Sequence, residues 1–458
     1  MESFDAIIVG TGQAGPSLAN RFHQAGRRVA IIERDRVGGT CVNWGCIPTK
    51  ALVASARVAH MARRSGDFGV ETGDVRVDMR RVHARMAEIS GHSNRGVEGW
   101  LEGLENVTLI RGDARFESAR SVRVGDRVLE AEQIFLNVGG RAVIPDFEGI
   151  DRIDPLTSVE MLALEELPQH LVVVGGSYIG LELGQIFRRF GSEVTIVERN
   201  DRLIHREDPD VSAAVEEILA GEGIRIRTSA DCFALDARDG GGAAVRVSCE
   251  KGPEWEEGSH VLFAVGRRPN TDTLELDRAG LETDARGYLT VDDELRTNVP
   301  GIWAIGDCNG RGAFTHTAYN DYEIVAANLF DNDTRRVSDR IPCYGLYVDP
   351  PLGRIGMTET EARQSGREVW IGTRKMSAVG RARERSEMQG FMKILVDAES
   401  EQILGASILG IRGDEVVQTL LALMYAKASY KVLARSVPIH PTVAELLPTV
   451  LQGLRPLD

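Results

Sequence analysis

The chain alternates short, continuously apolar runs with longer stretches whose apolar residues recur at helical spacing. Residues 4 to 9, Phe-Asp-Ala-Ile-Ile-Val, have the length of a buried strand. A helical stretch then runs to Gly26, and Val29-Ala-Ile-Ile makes a second strand that ends in Glu33. The same order returns later: Leu171-Val-Val-Val, a helix, then Val194-Thr-Ile-Val ending in Glu198. Strands alternating with helices predict parallel sheets of the α/β class. Between these units residues 51 to 98 read as helices and 106 to 127 as short β pieces. From about residue 340 the pattern becomes mixed. Thr358 and Glu361 form a capping box, residues 391 to 396 and 403 to 410 read as adjacent strands, and 414 to 427 as an amphipathic helix.

The junctions between strand and helix carry the first chemistry. Gly10-Thr-Gly12-Gln13-Ala14-Gly15 follows the first strand directly, and Pro16 sits where a first helical turn tolerates a missing N–H. Gly10 permits the tight turn, Gly12 lets the backbone approach a pyrophosphate, and Gly15 allows close helix–strand packing. The helix N-terminus offers N–H groups and a positive dipole end to phosphate, and Glu33 is placed to accept from an adenosine ribose. Gly175-Gly176-Ser177-Tyr178-Ile179-Gly180 repeats the design, and twenty-three residues separate Gly10 from Glu33 and Gly175 from Glu198 alike. Two such units in one chain predict two dinucleotide cofactors exchanging electrons. Ser177 departs from the glycine pattern and adds a small side chain beside the pyrophosphate.

Length and composition narrow the class. A chain of 458 residues is too long for one core, and 43% hydrophobic with 27% charged residues fits a soluble globular protein. A net charge of −14 offers no footprint for nucleic acid or an anionic membrane. No apolar run approaches the roughly 18 residues of a membrane span, and the N-terminus lacks a signal-peptide pattern, so the expectation is cytoplasmic. There a close cysteine pair is catalytic more often than structural. Cys232, Cys249, Cys308 and Cys343 are scattered and read as incidental, and no HExxH or CxxC pattern points to a metal.

The remaining pair, Cys41 and Cys46, lies in Gly38-Gly-Thr-Cys-Val-Asn-Trp-Gly-Cys-Ile-Pro-Thr-Lys50. This block resembles the redox-active disulfide of the flavin-dependent pyridine nucleotide–disulfide oxidoreductases, which include glutathione reductase, dihydrolipoamide dehydrogenase and mercuric reductase. Four other motifs follow in that family's order: Asn137-Val-Gly139 where the family has Ala-Thr-Gly, Gly266-Arg-Arg-Pro-Asn270, Gly306-Asp307, and His440-Pro-Thr-Val-Ala-Glu445 near the end.

The resemblance implies two nested Rossmann-like domains, for FAD and NAD(P), plus a C-terminal α+β dimerisation domain. The segments would be 1–145 (FAD, first part), 146–270 (NAD(P)), 271–338 (FAD, central part) and 339–458 (interface). It implies that Gly10, Gly12, Gln13, Ala14, Gly15, Glu33, Thr40, Lys50, Ala114, Gly139, Asp307 and Thr315 hold FAD. The nicotinamide nucleotide would lie on Gly175, Gly176, Ser177, Tyr178, Ile179, Gly180, Glu182, Glu198 and Gly266. Cys46 would be the flavin-proximal thiol, forming a charge-transfer contact as thiolate, and Cys41 the interchange thiol. His440, oriented by Glu445, would act as acid–base from the partner of a homodimer. Lys50 and Glu182 would pair beside the flavin, Tyr178 would gate the nicotinamide site, and the helix opened by Thr315-His316-Thr317 would face the flavin pyrimidine. Glu198 favours NADH, since a carboxylate repels a 2′-phosphate, while Arg199 and Arg202 leave NADPH open.

The substrate is less legible. The wording around Gly175 and His440 looks most like the mercuric reductase-like branch, but the C-terminus carries no cysteine pair and no metal-binding domain precedes the fingerprint. A small or lipoyl-type disulfide is therefore expected, with a metal or other acceptor as one alternative. A non-enzymatic flavin redox sensor is the other.

Overall fold

The computed structural model describes residues 1–238, 242–248 and 254–457, so Cys249 lies outside the described residues. Two parallel sheets dominate. The first runs in the order Ile302–Ala304, Gln133–Leu136, Ala6–Val9, Val29–Glu33, Val107–Arg111. The second runs Arg225–Arg227, Glu193–Val197, His170–Val174, His260–Phe263. Every residue of Ala6–Val9 is buried, as expected of a strand covered on both faces. The strand in this sheet begins at Ala6 rather than Phe4, whose N–H donates instead to the Glu130 carbonyl at 2.9 Å.

The strand Ile302–Ala304 returns to the first sheet only after the second sheet has been built. The chain leaves and re-enters through Gly140–Ala142 and Arg267–Pro269, which pair antiparallel. An antiparallel meander, Asp231–Ala237, Ala243–Ser248 and Trp255–Gly258, is attached to the second unit. Of the short β pieces after residue 106, Val107–Arg111 joins the first sheet, and Ala114–Ser118, Ser121–Val124 and Arg127–Glu130 form a four-stranded sheet with Glu2–Ser3.

The last quarter is a six-stranded antiparallel sheet with the helix Gly413–Tyr425 packed on it. Phe391–Asp397 and Ile403–Leu409 are neighbours in it, and Thr358 caps its helix reciprocally with Glu361. The result is an α/β fold with two dinucleotide-type units and a C-terminal α+β unit. Among the described residues no helix is long and apolar enough to cross a membrane.

One ionic hub joins the three parts. Arg189, on the helix Tyr178–Phe190, pairs with Glu222 at 2.7 Å and Asp349 at 2.5 Å. Arg57, on the helix Cys46–Arg63, reaches the same Asp349 at 2.6 Å and Glu387 at 2.7 Å. The helix that begins at Cys46 is thereby fixed to the second unit and to the C-terminal sheet.

Candidate active site

The two cysteines sit on consecutive helices. Cys41 is in Gly39–Asn43, the chain breaks at Trp44 and Gly45, and Cys46 opens Cys46–Arg63. The short helix lies directly on the first phosphate loop: a Cβ at Gly39 would stand 2.7 Å from Gly12 Cα. Gly38 N–H donates to Thr11 Oγ1 at 3.1 Å, and Asn43 Nδ2 donates to the Val37 and Gly39 carbonyls at 2.9 and 3.0 Å. Position in sequence and position against the loop are thus linked through small residues.

Both cysteines are free thiols. Cys46 Sγ is 3.2 Å from Thr315 Oγ1, at the start of the helix Thr315–Phe330. A hydrogen bond from Cys41, assisted by Thr315 and by the Lys50 charge, lowers the Cys46 thiol to about 6 against the opposing effects of burial and Glu182. Cys41 moves the other way: its hydrogen bond to Cys46 and its burial hold it protonated. Lys50, four residues after Cys46 on the same helix face, meets the buried Glu182 at 2.7 Å. Its ammonium also lies 4.4 Å from the centre of the Tyr347 ring, whose backbone N–H donates to the other Glu182 oxygen at 2.9 Å.

The two glycine loops have the shape a dinucleotide needs. Gly10 has φ +105°, and a Cβ there would collide with the Asn137 carbonyl. A Cβ at Gly15 would collide with the Gly10 carbonyl, and one at Gly180 with that of Gly175. The helices that follow have no side-chain cap from Gln13 or Ser177, which leaves their first N–H groups for an anion. Ala14 is the first residue of its helix and Ile179 is exposed on the first turn of the second. Glu33 accepts from Thr11 and from Asp35 N–H at 2.9 Å; Glu198 accepts from Gly176 N–H at 2.6 Å and from Asn200 N–H at 2.8 Å. Each loop fits the pyrophosphate of a dinucleotide.

The other expected cofactor residues come from several separate elements. Thr40 precedes Cys41 in its helix, and Ala114 is buried at the start of its strand. The Gly139 carbonyl accepts from Asn270 N–H and that of Gly266 from Val143 N–H, both at 3.0 Å, so the two lie along the crossing. Asp307 stands in the turn Gly306–Asn309, its carboxyl pushed up by burial although Arg267 is 4.0 Å away. His316 turns from the helix start to the Cys343 carbonyl at 2.7 Å.

His440 is not brought to the cysteines within one chain. Its imidazole is 81% exposed, and Nδ1 lies 3.0 and 3.2 Å from the Glu445 oxygens. Three contributors were not read from the sequence. Asn137 Nδ2 donates to Gly10 O at 3.2 Å and Gly12 O at 3.1 Å, tying down the phosphate loop; an asparagine where the family pattern has alanine was the available signal. Tyr347 and Arg189 gave none.

The Pyridine nucleotide-disulphide oxidoreductase model matches residues 4–321, and that family's dimerisation domain matches residues 343–451. The chain belongs to this family. It is therefore a flavoprotein disulfide oxidoreductase that uses FAD and NAD(P)H. It is similar to RclA of Escherichia coli strain K12, 34% identical with 98% of each chain covered. It is also similar to dihydrolipoyl dehydrogenase of Haloferax volcanii, 33% identical over 96% of this chain and 94% of the relative. Mercuric reductase of Lysinibacillus sphaericus is 31% identical over 91% of this chain and 76% of the relative. The solved structure of the HOCl-induced flavoprotein disulfide reductase RclA from Escherichia coli superposes with a TM-score of 0.90 at 33% identity, covering 98% of this chain and 99% of that one. Its Cu(II) complex gives the same score, covering 99% of each.

Proposed function

We propose that this flavoprotein reduces a low-molecular-weight or lipoyl-type disulfide with electrons from NADH, through the Cys41–Cys46 pair. The observation that carries the reading is the asymmetry of that pair: Cys46 is favoured as thiolate beside Thr315 and Lys50, while Cys41 is held protonated. FAD, when bound, supplies the two-electron link between nicotinamide and disulfide.

In the dithiol form Cys41 has to lose its proton before it can attack. The imidazole of the partner subunit's His440 takes that proton, and Glu445 stabilises the resulting cation. Cys41 Sγ then attacks one substrate sulfur, the other leaves as a thiol protonated by the imidazole, and a mixed disulfide forms. Cys46 Sγ attacks Cys41 Sγ as thiolate, the second substrate sulfur leaves as a thiolate that takes its proton from solvent, and the Cys41–Cys46 disulfide is restored. Lys50, held by its ion pair with Glu182, places its positive charge near Cys46. The exposed Val437 and Ile439 next to His440 suit burial against a second copy, which supports a homodimer with a shared site. Glu198 argues for NADH, and a redox pair kept reducible argues for the cytoplasm.

The test is kinetic. Cys46→Ser should abolish disulfide turnover, and His440→Ala should lower it by about a hundredfold or more. Wild-type turnover by Cys46→Ser would rule the relay out. A metal-ion acceptor is the second reading, motivated by the Cu(II) complex of the similar RclA, since paired thiolates also suit a soft ion. Parallel assays with lipoamide, glutathione disulfide and Cu(II) separate the two.

A further inference from the structure

A short strap of the C-terminal unit is clamped between two helices of the other units. It consists of residues 347–349, directly after the strand Cys343–Leu346. Tyr347 N–H donates to Glu182 at 2.9 Å and Asp349 N–H to Gln185 Oε1 at 2.7 Å, while Gln185 Nε2 donates to the Asp349 carbonyl at 2.9 Å. Glu182, Gln185 and Arg189 share one face of the helix Tyr178–Phe190, three and four residues apart. From the other side the helix Cys46–Arg63 sends Arg57 to Asp349 and Lys50 to the Tyr347 ring. The strap is thus held on both flanks, which fixes where the Tyr347 side chain starts.

The ring itself is closely seated. A Cβ on Gly345 would stand 3.1 Å from it, so the glycine two residues back makes room for the ring. Burial pushes the phenol up, and the Asp414, Glu182, Cys46 and Glu415 charges add to the effect, so a neutral ring faces the charges of the site. Its centre lies 4.4 Å from the Lys50 ammonium, well inside the reach of a cation–π contact. Lys50 is about a third exposed, and a lysine head on a flexible stem needs more than one partner to stay in place. Glu182 is one partner and the ring is the other. Among the groups that act on the Cys46 thiol, Cys41 and Thr315 work through hydrogen bonds, Lys50 through its charge, and Glu182 opposes them.

Resting on the disulfide reductase reading, we infer that Tyr347 is a positioning residue for Lys50: its ring and the Glu182 carboxylate together hold the ammonium whose charge supports the Cys46 thiolate. Tyr347 acts through Lys50. Without the ring the ammonium keeps Glu182 but is free to turn toward water, and its support for Cys46 weakens.

The experiment follows the long-wavelength thiolate–flavin absorbance of the FAD-loaded, two-electron-reduced protein against pH. Tyr347→Leu removes the ring and should raise the midpoint by about half a pH unit, roughly a threefold change in the acid constant. Tyr347→Phe keeps the ring face and should stay within about 0.2 pH units of the parent. In a Lys50→Met background, where the charge is already gone, Tyr347→Leu should add no further shift. If Tyr347→Leu does not fold, Tyr347→Met fills a similar volume without a ring and carries the same expectation. A parent-like midpoint in Tyr347→Leu overturns the assignment. So does a shift in Tyr347→Phe as large as in Tyr347→Leu, or an undiminished shift in the Lys50→Met background. Absence of the long-wavelength band from the parent would instead defeat the disulfide relay itself, and the proposal with it.

Discussion

Replacing Asn137 by alanine isolates the part of the flavin site that the sequence marked only as an irregularity. The Nδ2 group is shared between Gly10 O at 3.2 Å and Gly12 O at 3.1 Å, in a buried side chain. Gly12 O keeps a second donor, the Gly15 N–H at 2.9 Å, so its loss is one net bond, about 1 kcal/mol. Gly10 O loses its side-chain donor in a crowded turn and should cost about 1–2 kcal/mol. If the roughly 2 kcal/mol of lost order must be restored when FAD binds, its dissociation constant rises about thirtyfold. Asn137→Thr retains one hydroxyl donor and should lose roughly half as much free energy. The assay is fluorescence titration of the apoprotein with FAD, with a denaturant midpoint on the same samples. An alanine variant that binds FAD as tightly as the parent and unfolds at the same midpoint would refute the tether.

Other consequences follow from the same structure. Arg189→Met removes the buried cation shared by Asp349 and Glu222, leaving Arg57 on the first and the Gln185 amide on the second, and should destabilise the fold by about 3 kcal/mol; an unchanged urea midpoint would show that these remaining partners hold the hub. Because the Cys46 thiol lies below the ordinary range, at about 6, its thiolate fraction in the dithiol form should rise through about pH 6. Thiolate ultraviolet absorbance should follow that rise, and Thr315→Val should shift it to higher pH; a midpoint near that of a free thiol would contradict the assignment. Glu198→Ala should reduce the preference for NADH over NADPH in kcat/KM, and an unaltered ratio would remove the argument from the carboxylate.

The parts of this site that were legible are those whose chemistry is local. Each glycine loop and its acid lie within one strand–helix–strand unit, so Gly10 to Glu33 and Gly175 to Glu198 could be read directly. His440 and Glu445 are five residues apart and hydrogen-bonded. The helical stretch read from residue 51 is present, and its helix begins five residues earlier, at Cys46. What stayed hidden depends on residues far apart in the chain. Lys393 sits in a strand that reads as apolar, yet its side chain is 2% exposed because Asp208, Asp210 and Glu359 surround the ammonium at 2.7–3.0 Å. No window around residue 393 contains those carboxylates. Tyr347 under Lys50, Tyr344 on Glu207 and the Arg189 hub are unreadable for the same reason.

The central claim, that Cys41 and Cys46 relay electrons between the nicotinamide nucleotide and the acceptor, is met most directly by anaerobic titration with NADH. After two electrons the parent protein should develop a long-wavelength shoulder from a thiolate facing oxidised flavin, and Cys46→Ser should not. Bleaching of the flavin without that shoulder in the parent would mean that the cysteines are uncoupled from it, contradicting the relay.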